Sequence, residues 1–139
     1  MEYHKIISIS KKPGLFQIIS QTKSGCIVES FQDKKRFPVH SMNQISLLEN
    51  IAIFTYESEI PLLEVFKSIF KKTEGKMTIS HKESGSTLAA YFSEVLPEYD
   101  QERVYISNIK KVLQWYNILI KVGLDFSKIE ASKENAEDV

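Results

Sequence analysis

Polar and apolar residues alternate with a period of two through Thr55, and from there the period lengthens to 3.6. The first regime predicts short strands at residues 5–10 (KIISIS), 15–22, 26–31, 36–40 and 51–55. Lys11-Lys12-Pro13-Gly14 has the proline-glycine order of a type II turn. Ser24-Gly25 folds the next hairpin, with the glycine suited to a left-handed backbone. Ile18 and Ile19 put apolar side chains on both faces of their strand, which predicts cover on two sides or a curled sheet. Pro38 places its strand at an edge or a bulge, because proline has no N–H for a ladder. Residues 41–50 have the length of one helical turn or a 3₁₀ connection. Five short strands with tight turns predict a small, strongly bent SH3-like barrel over residues 1–57.

The second regime predicts three helices. Pro61 suits a first helical position, and Leu62, Val65, Phe66, Ile69 and Phe70 form one stripe before Lys71, Lys72 and the stop at Gly75. Residues 76–85 read as a linker or a short strand. Ser86 is the expected cap of a helix carrying Leu88, Tyr91, Phe92, Val95 and Leu96, ended by Pro97. Residues 97–105 read as an extended, charged connection in which Glu98, Asp100 and Glu102 are solvated. Ser107 is the expected cap of the longest helix, 107–122, whose stripe of Ile109, Leu113, Tyr116 and Ile120 is widened by Val112, Trp115 and Leu119. Gly123-Leu124 has the pattern of a Schellman stop. The fold class is therefore α+β: a barrel at 1–57, a helical part at 58–124, and an acidic tail at 125–139. With five acids against two lysines, that tail reads as disordered.

Charge narrows the possible functions. Lysine plus arginine equals aspartate plus glutamate at 18 each, so wholesale electrostatic binding of nucleic acid or a membrane is disfavoured. Local patches remain open. Cys26 is the only cysteine, so no disulfide forms within the chain and a reducing compartment fits. The N-terminal MEYHKIIS has no signal-peptide pattern, and no window approaches the ~20 apolar residues of a membrane span. The expectation is a soluble cytoplasmic protein.

A meander places alternate turns at the same end. One end then collects Lys11, Lys12, Lys34, Lys35 and Arg36, with Phe16 and Phe37 just inside. Lysines neutralise phosphates and aromatic faces stack bases, so this end is a candidate for nucleic acid or another partner. The competing reading, solvated turn lysines over core phenylalanines, carries more weight in a neutral chain. The opposite end collects His4, Cys26 and His40, with His81 as a conceivable fourth ligand. Their spacing matches no compact zinc motif, so no metal or other cofactor is expected. Cys26 with His4 or His40 lacks any signalled base geometry or oxyanion site, and no glycine-rich phosphate loop is present. The expectation is a non-enzymatic interaction module for a protein or peptide, with the Pro38 strand as a candidate edge for strand addition. Nucleic-acid binding at the basic end is the alternative. A barrel edge or the long helix offers a route to a dimer.

The stretches KIISISKKPGLFQIISQTKSGCIVES, DKKRFPV, IPLLEVF and VYISNIKKVLQWYNIL resemble a family of short, uncharacterised proteins from Bacteroidetes bacteria. The resemblance implies a bacterial cytosolic protein with an N-terminal β part and a C-terminal helical part. It implies no catalytic or ligand residues.

Overall fold

The computed structural model describes residues 3–40 and 44–129. The chain divides into two compact units, one running through Ile51 and the other starting at Ala52.

The first unit is a five-stranded antiparallel sheet. Its strands are β1 (Ile6–Ile9), β2 (Lys12–Gln21), β3 (Cys26–Ser30), β4 (Arg36–Val39) and β5 (Ile45–Leu47), in the order β4-β3-β2-β1-β5. The strand expected at 51–55 forms at Ala52–Phe54 but pairs in a separate hairpin, and the fifth strand of this sheet is 45–47 instead. Of the helical turn or 3₁₀ connection predicted over 41–50, Leu48–Asn50 forms a 3₁₀ turn, and residues 41–43 lie outside the described residues. Three isolated residues, Ile45-Ser46-Leu47, are too short to show a period on their own. No pairing joins β4 to β5 among the described residues, so the sheet is open as described rather than a closed barrel.

The first turn also differs from expectation. Ile9 pairs with Lys12, so a two-residue turn at Ser10-Lys11 joins β1 to β2, and Lys11 takes φ +68°. Pro13 and Gly14 belong to β2 instead. Ile7 pairs with Phe16, so three residues of β2 face one of β1 in a bulge that accepts a proline without breaking a ladder bond. Gly14 sits there at φ +86°, and a Cβ on it would strike the side chain of Gln32. Gly25 does not take a left-handed backbone. It is small for another reason: an added Cβ would run into the carbonyl oxygen of Val39.

A second bulge explains the Ile18-Ile19 pair. Ile18 pairs with Val28 but Ser20 pairs with Ile27, which leaves Ile19 as the extra residue. Ile19 is 36% exposed, so this point of the strand is not covered on both sides. One face of the sheet packs Ile7, Ile9, Phe16, Cys26, Val28 and Val39 into a core, with Phe37, Ile45 and Leu47 half-buried against it. The other face of β2, β3 and β4 carries a polar row. Gln17 and Arg36 both donate to Glu29, at 3.2 and 2.8 Å.

The second unit opens with a hairpin, β6 (Ala52–Phe54) and β7 (Glu59–Pro61), followed by α1 (Leu62–Lys72), α2 (Gly85–Val95) and α3 (Ile106–Lys121). Pro61 is the cap of α1 rather than its first residue. Ser84, not Ser86, caps α2 by accepting from the Thr87 amide. Ser107 does not cap α3, which starts one residue before it. The Asn108 side chain instead reaches back to the Tyr105 amide at 2.8 Å. The stops fall where glycine signals them: Gly75 N–H reaches Phe70 O at 2.9 Å, and Leu124 N–H reaches Leu119 O at 3.0 Å past Gly123 at φ +92°.

The expected helical stripes form the core, with Phe66, Ile69, Leu88, Phe92, Leu113 and Tyr116 fully buried. Composition alone misplaces the end of the folded part. Asp125 caps a 3₁₀ turn, Phe126–Lys128, and Phe126 is fully buried against Phe66, Phe70 and Tyr116. Residues 130–139 lie outside the described residues.

Candidate partner-binding site at the basic end of the sheet

The antiparallel meander brings the Ser10-Lys11 turn and the 31–35 turn to one end of the first unit. The Phe31 amide bonds to Leu15 O at 3.2 Å, and the Gln32 side chain covers Gly14. The 31–35 turn forms because Asp33 accepts from the Lys35 amide at 3.0 Å and Lys34 takes φ +63°. Lys11, Lys12, Lys34, Lys35 and Arg36 are all exposed at this end.

The five cations fall into three states. Lys12 Nζ lies 5.0 Å from the centre of the Phe37 ring, and Lys34 Nζ lies 5.9 Å from that of Phe31. Arg36 is tied to Glu29, and the hydrogen bond from its guanidinium holds the Glu29 carboxyl below the usual carboxylate range. The side chains of Lys11 and Lys35 make no ion pair among the described residues. Phe16 is 5% exposed and meets Phe37 edge-on at 5.7 Å, with the rings 87° apart. Phe16 is therefore core, and Phe37 has Lys12 above it and Phe16 against it.

The other candidates do not converge. His4 pairs with Glu49, two strands away from Cys26. Cys26 is 1% exposed and faces the core, and burial pushes its thiol up, the reverse of what an activated thiolate needs. Among the described residues no group of three His, Cys, Asp or Glu side chains is placed to hold a metal ion.

A further cluster lies on the 97–105 connection. Asp100, expected to be solvated, is only 8% exposed. It accepts from Arg103 Nε at 2.8 Å and from the Glu102 amide at 2.9 Å, and these bonds lower its pKa. Arg103 also donates to Thr55 O and lies 4.3 Å from the centre of the Phe54 ring. Residues 98–100 follow β6 rather than running free: Thr55 bridges Tyr99, and the Asp100 amide bonds to Phe54 O. The Asp-x-x-Arg spacing was the one available signal.

No helix among the described residues is long and apolar enough to cross a membrane. The family models place two domains of unknown function along the chain, DUF5606 over residues 4–48 and DUF6852 over residues 51–119. These matches meet where the two compact units meet. No curated protein matches. A protein from Bacteroides vulgatus with a solution NMR structure is 40% identical, over 94% of this chain and 97% of that one, with a TM-score of 0.74. The chain belongs to the same family as that Bacteroides protein, with DUF5606 as its N-terminal sheet and DUF6852 as its C-terminal helical part.

Proposed function

We propose that the protein is a non-enzymatic interaction module whose basic sheet end receives an acidic segment of a protein or peptide partner. The observation that carries this reading is the state of the two phenylalanines. Phe16 is buried, and Phe37 is flanked by Lys12 and Phe16. This end therefore offers positive charge, while one phenylalanine ring is buried and the other already lies under a lysine and against its neighbour, which disfavours base stacking. Carboxylates need only the charge. We read the sheet as the greater part of an SH3-like barrel, since β5 returns beside β1 as a curling meander requires. A lone, buried cysteine fits a reducing cytoplasm.

The test is a fluorescence-anisotropy titration of the full chain with a labelled Glu-rich decapeptide and with a single-stranded oligonucleotide, over a salt series. The peptide is expected to bind, more weakly as salt rises, and the Lys11→Glu/Lys35→Glu variant to lose at least about tenfold in affinity, or ~1.4 kcal/mol. Absence of peptide binding, or binding unchanged in the variant, overturns the reading. Oligonucleotide binding with a salt slope near −0.7 per phosphate contacted would put nucleic acid in its place.

A further inference from the structure

A cleft of about 250 Å³ opens in the second unit, between the β6–β7 turn and the C-terminal end of α2. Its apolar lining is Ile60, Leu96 and Pro97, and its exposed carboxylate residues are Glu57 and Glu98. The remaining polar groups are occupied with each other. Thr55 Oγ1 donates to Ser58 O at 2.9 Å and accepts from the Ser58 amide at 3.0 Å. The walls are held in register by the Tyr56 amide on Glu98 O at 3.1 Å and by the bridge between Thr55 and Tyr99.

Size and charge together select an occupant. Pockets for cofactors and drug-sized ligands run from about 300 to 1,000 Å³, so this cleft suits one long side chain. Neither Glu57 nor Glu98 has an ion-pair partner among the described residues. Arg103, on the adjoining connection, is committed to Asp100 and to the Phe54 face. An apolar lining together with unneutralised carboxylates matches a side chain with an apolar stem and a cationic head.

We infer that the cleft is a docking site for a lysine or arginine side chain of a partner peptide. The stem lies along Ile60, Leu96 and Pro97, and the head lies between the carboxylates of Glu57 and Glu98. The site is independent of the basic sheet end and takes the opposite charge.

The experiment is an amide-shift NMR titration of the full chain with the pentapeptide Gly-Gly-Lys-Gly-Gly, beside versions carrying norleucine or glutamate in place of lysine. The lysine peptide is expected to move the amides of Thr55, Ser58 and Leu96 saturably, more weakly as salt rises. The Glu57→Gln/Glu98→Gln variant, altered only at exposed positions and checked for an unchanged spectrum, is expected to bind at least tenfold more weakly. Equal binding of the norleucine or glutamate peptide, undiminished binding by the variant, shifts confined to other residues, or no shifts at millimolar peptide would each overturn the inference.

Discussion

The ring of Phe126 lies 5.6 Å from that of Tyr116 and within 12° of parallel. The hydroxyl of Tyr116 in turn bonds to Thr73 Oγ1 and donates to Lys76 O, both at 2.9 Å. A phenylalanine from a segment of acidic composition thus completes the helical core. Phe126→Ala is expected to destabilise the second unit by about 3–5 kcal/mol, the usual range for a buried phenylalanine. Urea denaturation followed by circular dichroism measures it; a loss under about 1 kcal/mol would mean the ring is not core.

In the first unit the corresponding change is Phe16→Ala. Burial of this ring among Ile7, Ile9 and Val28 predicts a loss of about 3–5 kcal/mol. The neighbouring Lys11→Ala is expected to stay within about 0.5 kcal/mol of the parent, because its side chain is exposed and alanine meets the same positive-φ turn backbone that lysine does. Equal melting of the two variants would place Phe16 on the surface and revive it as a stacking platform.

Two glycines test backbone geometry separately from packing. At Gly123, φ is +92° and the surroundings are open, so Gly123→Ala is expected to lose about 1–2 kcal/mol from the left-handed backbone alone. At Gly25 the conformation is ordinary, but a methyl group would strike main-chain atoms of Val39 and His40. Gly25→Ala is expected to lose more than Gly123→Ala, because β4 must move. The reverse order in thermal melts would refute the close approach.

Acid should weaken the fold through the hydrogen-bonded carboxylates. Asp100 is lowered chiefly by Arg103, Glu29 chiefly by Arg36, and Asp125 chiefly by Ser127. A carboxyl whose folded pKa lies below its unfolded value contributes stability that is complete above the unfolded value. That stability is lost as pH falls through the folded one. For Asp100 the loss begins near its ordinary value of 3.8 and continues below it. The Asp100→Asn variant is expected to be less stable than the parent at neutral pH, with the gap narrowing as pH falls below 4. A gap constant from neutrality to pH 3 would show that the charge of Asp100 contributes nothing.

Long, periodic segments were legible from the sequence, and local accidents of the chain were not. The stripes of Leu62 to Phe70 and of Ile109 to Tyr116 repeat often enough to mark helices and their buried faces. Gly75 and Gly123 end those helices because a left-handed residue there has a local cause. Lys12-Pro13-Gly14 misleads because the same dipeptide suits a turn and a bulge, and the choice rests on which residue Ile9 pairs with. Ile18-Ile19 misleads for the same reason, since one extra residue mimics a strand buried on both faces. Phe126 was hidden by averaging over acidic neighbours.

The site divides in the same way. That Lys11 and Lys12 share an end with Lys34 to Arg36 follows from counting antiparallel turns. That Lys12 sits over Phe37, and that Arg36 is spent on Glu29, depends on distances between strands. The Asp100–Arg103 cluster was out of reach because its environment comes from Phe54 and Thr55, far back in the chain.

Pro38 has one more consequence. Ser30 donates to Lys35 O at 3.0 Å, so the antiparallel alternation turns the backbone groups of Arg36 and Pro38 away from β3. On that outer side Arg36 supplies an N–H, but Pro38 has none to give. An incoming strand would find a gap in the ladder and a charged neighbour beside it. The missing N–H of Pro38, beside the charge of Arg36, makes this rim of the sheet a poor template for edge-to-edge aggregation.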